Sequence, residues 1–237
     1  FPTPHLPPEP VNMPRAVIID AYEVLTDEAA IEREAIGTIR QFVAQAGVRV
    51  PETAVQQAEQ AAVDSFAPHF LEAVIYRLCN RDSSVALKVT GQLKKMPHPA
   101  PKIRTDALEI IKVCKSLGWK VAFSTTPHEE LAKALQKAGT WALIDVKGPP
   151  AGMKIELPDP RVIEFLLGAL GTTPAETIVL GTRIDNNIRP ANMLRMTAVQ
   201  LKQGRYGQKQ HPRDLKDVPD YEAADIKALL ALLPTIQ

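Results

Sequence analysis

The stretch Arg15-Ala-Val-Ile-Ile-Asp-Ala-Tyr-Glu-Val-Leu-Thr-Asp27 contains the strongest indication of the fold. An apolar, mostly β-branched run at 16–19 ends in the carboxylate of Asp20. Such a run is typical of a strand that is buried on both faces of a parallel sheet. Reactive groups in these sheets lie just beyond the carboxyl ends of the strands. The sequence therefore predicts that Asp20 is a nucleophile or a metal ligand, with the alternative that it only caps the following turn.

Composition limits the class of protein. The chain has 237 residues, of which 45% are hydrophobic, and this suits one domain or a core with a small insertion. No apolar run approaches the ~20 residues of a transmembrane helix, so we expect no membrane insertion. The net charge of +1 gives no general attraction to nucleic acid. Cys79 and Cys114 fall in apolar helical patterns and are predicted to be buried thiols.

The order of periodic segments predicts the architecture. Four amphipathic helices are expected between about 27 and 95, followed by a proline-rich linker and then by helices that alternate with apolar strands. Alternating helices and strands are typical of a doubly wound parallel sheet. The predicted later strands are 121–123, 142–144, 178–180 and 197–201. The predicted division is a Pro-rich arm at 1–13, an α/β core at 14–26 and 97–237, and a helical insertion at 27–96.

The segment Asp20-Ala-Tyr-Glu-Val-Leu25 resembles the first motif of the haloacid dehalogenase superfamily, in which an aspartate at a strand end attacks the substrate. The resemblance implies a Rossmann-like α/β core with a small all-helical cap inserted after the first strand. The phosphatases of this superfamily carry a second aspartate as acid/base two residues later, and here that position is Tyr22. An Asp-Ala-Tyr opening is similar to the metal-independent 2-haloacid dehalogenases.

Two further motifs concern the substrate's charge. Val121-Ala-Phe-Ser124 resembles the second motif, whose hydroxyl holds the substrate's anion, although Ser124 also suits a helix cap. The third motif supplies a lysine just before Pro-Asp-Pro, and this position is Leu157, which carries no charge. Lys154 or Lys147 is the alternative source of the cation.

The fourth motif of the phosphatases supplies carboxylates that hold magnesium together with the nucleophile. Here Gly181 is followed by Thr182, and the later acidic position is Asn187. The resemblance therefore implies no magnesium and no other cofactor at this site. Glu23 stands where the family has a glycine in a tight turn, and we expect its charge to raise the pKa of Asp20.

Because the scaffold motifs are present and several chemical residues are replaced, the first hypothesis is a protein that has lost hydrolase activity. It would serve as an accessory subunit of a larger assembly, with the Pro-rich arm and surface helices as contacts. The chain begins with Phe1 and not Met, so we expect a processed protein of the mitochondrial or another organelle matrix, with the cytoplasm as the alternative.

Three alternatives remain open. One is a metal-independent hydrolase with Asp20 as nucleophile, which requires a cation near Asp20. Another is a regulatory module that binds a small anion at Ser124 and around Gly181. The third concerns a predicted basic loop near the carboxyl end, which we interpret as solvated surface, with contact to RNA, acidic lipid or an acidic partner as the alternative. This loop contains Lys202, Arg205, Lys209 and Arg213.

Overall fold

The computed structural model describes residues 13–96 and 102–236. Its strands are β1 Ala16–Ile19, β2 Thr26–Asp27, β3 Lys102–Ile103, β4 Lys120–Phe123, β5 Thr177–Gly181, β6 Thr197–Leu201 and β7 Tyr221–Ala223. Five of them form a parallel sheet in the order β4-β1-β5-β6-β7, and β2 pairs antiparallel with β3. Every residue of β1 is buried, because β1 lies between β4 and β5 and helices cover both faces of the sheet.

The helices are α1 Ala21–Val24, α2 Ala29–Gln45, α3 Glu52–Asp64, α4 Phe70–Leu78, α5 Ser83–Leu93, α6 Leu108–Ser116, α7 Glu129–Lys137, α8 Pro160–Leu170, α9 Arg189–Met193, α10 Gly204–Lys209 and α11 Ile226–Leu232. Of these, α1 is a turn and not a regular helix, because the backbones of Tyr22 and Glu23 are not helical. Short 3-10 turns lie at Trp141–Leu143, Pro174–Glu176, Leu215–Asp217 and Leu233–Thr235, and a π-helical turn lies at Ile184–Ile188. No helix among the described residues combines the length and apolarity needed to cross a bilayer.

Alternate side chains of β1 enter two different hydrophobic clusters. Val17 and Ile19 pack with residues of α6, α7 and α11, whereas Ala16 and Ile18 pack with residues of α8 and α9. This follows from the two-residue period of a strand, which sends successive side chains to opposite faces. The predicted doubly wound α/β fold is confirmed.

Helices α2 to α5 pack around a third hydrophobic cluster that includes Ile39, Val74 and Ile75. Tyr206 of α10 is buried in the same cluster, so α10 joins this helical segment to the sheet. The four helices lie close to the predicted positions. The division of the chain into a core and an inserted cap stays a prediction.

The structure corrects two details of the predicted elements. The strand predicted at 142–144 is wrong: Trp141–Leu143 forms a 3-10 turn, and a single bridge from Val146 to Ala122 replaces the strand pairing. Ile144 is buried all the same, which explains why its apolar surroundings resemble a strand. The predicted basic loop contains α10, which the sequence pattern does not indicate because α10 has only six residues.

Two other predictions have separate outcomes. Cys79 and Cys114 are buried free thiols, as predicted. The Pro-rich arm lies, apart from Met13, outside the described residues, and residues 97–101 of the linker lie outside them as well.

Candidate active site

Asp20 lies at the carboxyl end of β1, beside the ends of β4 and β5. Its Oδ1 accepts a hydrogen bond from the Tyr22 backbone nitrogen at 3.2 Å, and its Oδ2 accepts one from Asn187 Nδ2 at 3.0 Å. The hydrogen bond from Tyr22 is the turn cap that the sequence indicates as the alternative role of Asp20. The hydrogen bond from Asn187 is not a cap, because Asn187 lies on another loop. Asp20 also lines a cavity of about 580 Å³, so its carboxylate is both held in place and accessible.

Asn187 is fully buried and its amide has one defined orientation. Its Oδ1 accepts from the Arg183 backbone N–H at 3.0 Å, which leaves the amide nitrogen to donate to Asp20. A Cβ atom at Gly181 would lie 2.2 Å from Asn187 Oδ1, so only glycine allows the amide this close to the strand. The structure therefore places a hydrogen-bond donor where the phosphatases of the superfamily have an acidic residue.

The donor set beside Asp20 does not fit magnesium, which requires oxygen ligands. The amide nitrogen of Asn187 faces the Asp20 carboxylate, and the Thr182 hydroxyl donates to Glu23 Oε2 at 2.5 Å. Asp185, the remaining acid of this loop, is bound by Arg183 and by Gln210. Within 13–96 and 102–236, no group of three or more His, Cys, Asp or Glu residues is arranged to hold a metal ion.

Tyr22 connects the turn that follows Asp20 to the loop after β4. Its hydroxyl accepts from the His128 backbone N–H at 3.0 Å and donates to the Thr126 carbonyl at 3.4 Å. Its ring lies 5.5 Å from the His128 ring. Tyr22 therefore stabilises the shape of the site, and its hydroxyl has backbone partners on both sides.

Ser124 is buried at the end of β4, and its hydroxyl has no hydrogen-bond partner among the described residues. Ser124 and Lys154 line the same side cavity of about 440 Å³, which adjoins the Asp20 cavity at Thr125 and Glu156. Lys147 is directed elsewhere, since its Nζ donates to the Ile144 carbonyl at 3.2 Å and lies 5.1 Å from the centre of the Trp141 ring. Of the two lysines considered from the sequence, only Lys154 lies beside a predicted site residue.

Arg183 supplies a positive charge near Asp20, and sequence reasoning missed it. It lines the Asp20 cavity, and its charge lowers the pKa of Asp20 against the larger effect of burial. Its guanidinium is held by Asp185, with Nη2 2.5 Å from Oδ2, and by the Tyr206 ring at 4.2 Å from the ring centre. The only signal in the sequence is its position two residues after Gly181, in the loop that also carries Thr182 and Asn187.

Three carboxyl groups that line the Asp20 cavity have raised pKa values, and one of them is Glu32, whose pKa burial raises to about 7 against the charge of Arg205. Burial raises the pKa of Asp20 to about 6, against the Asn187 hydrogen bond and the Arg183 charge. Burial also raises the pKa of Glu23 to about 8, and the charges of Asp20, Glu32 and Glu28 add to this rise. The rise predicted for the pKa of Asp20 is present, but burial is its main cause, and the carboxylate whose charge adds to it is Glu28 and not Glu23. Near neutral pH, Asp20 is mostly ionised and Glu23 is mostly protonated.

Several members of the predicted basic loop are engaged in ion pairs. Arg205 Nη2 lies 2.6 Å from Glu32 Oε2, and its Cζ lies 3.2 Å from the centre of the Phe70 ring. Arg213 binds the buried Asp217 with Nε 2.8 Å from Oδ2. These side chains have structural contacts of their own, and contact with RNA, lipid or an acidic partner stays a prediction.

No family model matches the chain. A glyceraldehyde 3-phosphate phosphatase of Methanopyrus kandleri is 37% identical over 76 residues, a stretch that spans 32% of this chain and 32% of that protein. Similar solved structures include a HAD phosphatase of Thermococcus onnurineus, with a TM-score of 0.56 and 15% identity over 92% of this chain and 97% of that chain. An L-2-haloacid dehalogenase of Xanthobacter autotrophicus, with chloropropionic acid covalently bound, gives a TM-score of 0.59 and 14% identity over 95% of this chain and 100% of that one. A haloacid dehalogenase-like hydrolase of Streptococcus pneumoniae gives a TM-score of 0.64 and 16% identity over 92% of this chain and 97% of that chain.

These comparisons correct the first functional hypothesis. The proteins that resemble this chain are named phosphatases and dehalogenases, and none of those described above is named as an accessory or structural subunit. The interpretation as an inactive subunit is therefore wrong. It rested on counting the replaced motif residues, and it left out the side chains that surround Asp20 in three dimensions. By its five-stranded parallel sheet and its similarity to these structures, the chain has the fold of the haloacid dehalogenase-like superfamily.

Proposed function

We propose that this chain is a metal-independent hydrolase that uses Asp20 as its nucleophile. The observation that carries the proposal is the Asp20 carboxylate itself, which Asn187 and Tyr22 hold at the surface of a cavity that Arg183 also lines. A nucleophile needs a defined orientation and a free electron pair, and hydrogen bonds from two neutral N–H groups provide the first without removing the second. A positive charge nearby offsets the negative charge that develops during attack.

The proposed reaction has two steps. In the first, an Asp20 oxygen forms a bond to the electrophilic atom of the substrate, and the leaving group departs with the electron pair of the broken bond. In the second, water cleaves the covalent intermediate and Asp20 returns to a carboxylate. No step requires a metal, because Asn187 orients Asp20 and Arg183 supplies the positive charge.

The side cavity is the proposed subsite for the charged part of the substrate. The Ser124 hydroxyl is buried and has no partner within the described ranges, so a substrate oxygen would satisfy it. Lys154 lies in the same cavity and can balance a negative charge. The names of the similar proteins, a glyceraldehyde 3-phosphate phosphatase and a 2-haloacid dehalogenase, support a substrate with an anionic group.

The test is an assay of the full chain in the presence of EDTA. The substrates are 2-chloropropionate, p-nitrophenyl phosphate and glyceraldehyde 3-phosphate, because these represent the chemistry of the named relatives. We expect turnover that EDTA does not reduce and that falls about 1,000-fold or more in Asp20→Asn. Asp64→Asn, on the exposed side of α3, is the matched control and should retain full activity.

Rapid quenching followed by intact-mass analysis gives a second readout. A covalent adduct on the peptide that contains Asp20, absent in Asp20→Asn, would support the nucleophile. Turnover that depends on added magnesium, or that survives in Asp20→Asn, would contradict the proposal.

A further inference from the structure

We infer that Glu23 is the proton donor of this site and that the substrate therefore releases an oxygen leaving group and not a halide. The inference rests on the proposed function and narrows its substrate class. It assigns to Glu23 the acid role that Tyr22, with its hydroxyl bound to backbone groups on both sides, does not fill.

The backbone at Glu23 provides the first argument. Its φ of 62° and ψ of −32° lie in the left-handed region, which glycine adopts readily and other residues rarely adopt. Strained positions of this kind cost free energy, persist where the surrounding structure fixes them, and cluster at functional sites. Glycine would adopt this backbone conformation at a lower cost in free energy, so the glutamate side chain is present although its backbone conformation is unfavourable.

The surroundings of the carboxyl group provide the second argument. The Thr182 hydroxyl donates to Glu23 Oε2 at 2.5 Å, and a Cβ at Gly204 would lie 3.3 Å from the same oxygen, so Oε2 is enclosed. The other oxygen, Oε1, makes no hydrogen bond with any residue that the structure describes. Glu23 and Asp20 line the same cavity. Oε1 is therefore the atom that can carry a proton to a substrate.

The charged groups around Glu23 keep that proton in place near neutral pH. Asp20, Glu28 and Glu32 face it with negative charge, and no Lys, Arg or His nitrogen of the described residues lies within 4.0 Å of its oxygens. Arg183 and Tyr206 also lie near it, but Arg183 is paired with Asp185. Burial, with these carboxylates, raises the pKa of Glu23 to about 8, whereas that of Asp20 is about 6. Such a separation is typical of a site that assigns one carboxyl as nucleophile and the other as acid.

Proton donation by Glu23 determines which kind of leaving group this site suits. When Asp20 forms its bond to the electrophile, the bond to the leaving oxygen breaks and that oxygen takes the electron pair. Glu23 gives its proton to this oxygen, so a neutral alcohol departs and Glu23 becomes a carboxylate. In the second step the Glu23 carboxylate takes a proton from the attacking water, whose hydroxyl goes to the electrophile, and Asp20 is released. A halide is a stable anion that accepts no proton from a carboxylic acid. A proton donor at this position would therefore have no role in the departure of a halide.

The experiment compares leaving groups that differ in their need for a proton. Wild type, Glu23→Gln and Glu23→Gly are assayed between pH 5 and pH 10 on p-nitrophenyl phosphate, on benzyl phosphate and on 2-chloropropionate, with Glu34→Gln on the exposed face of α2 as control. For the wild type we expect a bell-shaped profile with limbs at about 6 and about 8. In both Glu23 variants the alkaline limb should disappear. Turnover of benzyl phosphate should fall about 100-fold, and that of p-nitrophenyl phosphate much less.

Glu23→Gly guards against a folding artefact, because glycine suits the observed φ, and Glu23→Gln complements it because it keeps the side chain and changes only the carboxyl group. Turnover that requires Asp20 but keeps its alkaline limb in both Glu23 variants, or a loss that is equal for all leaving groups, would overturn the assignment of Glu23 alone. Turnover of 2-chloropropionate in preference to both phosphates would also overturn it. Absence of turnover on every substrate would overturn the proposed function, and this inference with it.

Discussion

The carboxyl groups of the fully buried Asp217 and of the partly buried Asp20 and Glu23 differ in what surrounds them. Asp217 is fully buried and is bound by Arg189 and Arg213, each with a nitrogen 2.8 Å from a carboxylate oxygen. Burial acts to raise its pKa, but the hydrogen bonds from these arginines outweigh burial and lower the pKa to about 2. Asp20 and Glu23 have no such ion pair within the described part of the chain, and their pKa values rise to about 6 and about 8.

This difference in pKa suits Asp217 to stabilising the fold, and it suits Asp20 and Glu23 to the proposed chemistry. A carboxylate with two cations is fixed in one protonation state over the physiological range and stabilises the fold. A carboxyl group that burial withdraws from water and that makes no ion pair can change its protonation state near neutral pH, as the proposed acid–base chemistry requires. The second arrangement lowers stability, and we therefore expect the two groups to respond to mutation in opposite directions.

The largest expected effect concerns the paired carboxylate. Asp217→Asn should lower the free energy of unfolding by about 3 kcal/mol, because it leaves two arginines without their shared partner. The measurement is urea unfolding at pH 7. Asp214→Asn is the matched control, since Asp214 binds the same Arg189 from an exposed position and its replacement should cost much less stability than that of Asp217. Equal losses in the two variants would show that burial of the pair does not matter.

Replacing Glu23 is expected to change the free energy of unfolding in the opposite direction. Its folded pKa is raised above the value of an unfolded glutamate, so its contribution to stability is fully present below about pH 4.5 and is lost as the pH rises through about 8. At pH 8.5, Glu23→Gly should therefore be more stable than wild type by about 2 kcal/mol, from relief of the buried charge and of the left-handed backbone. Thermal unfolding at pH 5 and pH 8.5 measures this. A variant that is less stable than wild type at pH 8.5 would contradict the prediction.

A third prediction concerns the loss of folding stability at low pH. The folded pKa of Asp217 lies below its unfolded value, so its contribution is present above about pH 3.8 and is lost as the pH falls through about 2. Wild type should lose about 2 kcal/mol from this group over that range, and Asp217→Asn should lack this part of the acid dependence. Urea unfolding at a series of pH values between 2 and 5 compares the two slopes, and parallel curves would assign the acid sensitivity to other carboxylates.

The smallest expected effect concerns Arg205, which joins α10 to the helical segment through Glu32 and the Phe70 ring. Arg205→Lys keeps the charge but replaces a flat guanidinium that stacks on the ring, so we expect a loss of about 1 kcal/mol. Arg33→Lys, on the exposed face of α2, is the control and should change little. The measurement is urea unfolding at pH 7, and an equal effect of both substitutions would show that stacking contributes nothing.

Much of the scaffold was predictable because its signals are local. The strands predicted at 121–123, 178–180 and 197–201 lie within β4, β5 and β6, and α8 has Asp159 as its cap and Pro160 in its first turn. The buried β1 run and the position of Asp20 at its end also follow from the order of residues alone. The turn at Trp141–Leu143 did not, since a short apolar run has the same composition in a turn as in a strand.

The sequence by itself determined the α/β scaffold, the position of Asp20 at the end of the first strand and the absence of the phosphatase carboxylates at Tyr22, Thr182 and Asn187. Only the tertiary structure decided what replaces them. Asn187 meets Asp20 across 167 positions of the chain, and Thr182 meets Glu23 across 159. A pKa depends on burial and on such distant neighbours, which residue order does not contain. For that reason the sequence showed which charges were lost, and the fold showed that Arg183 and Glu23 line the same cavity as Asp20.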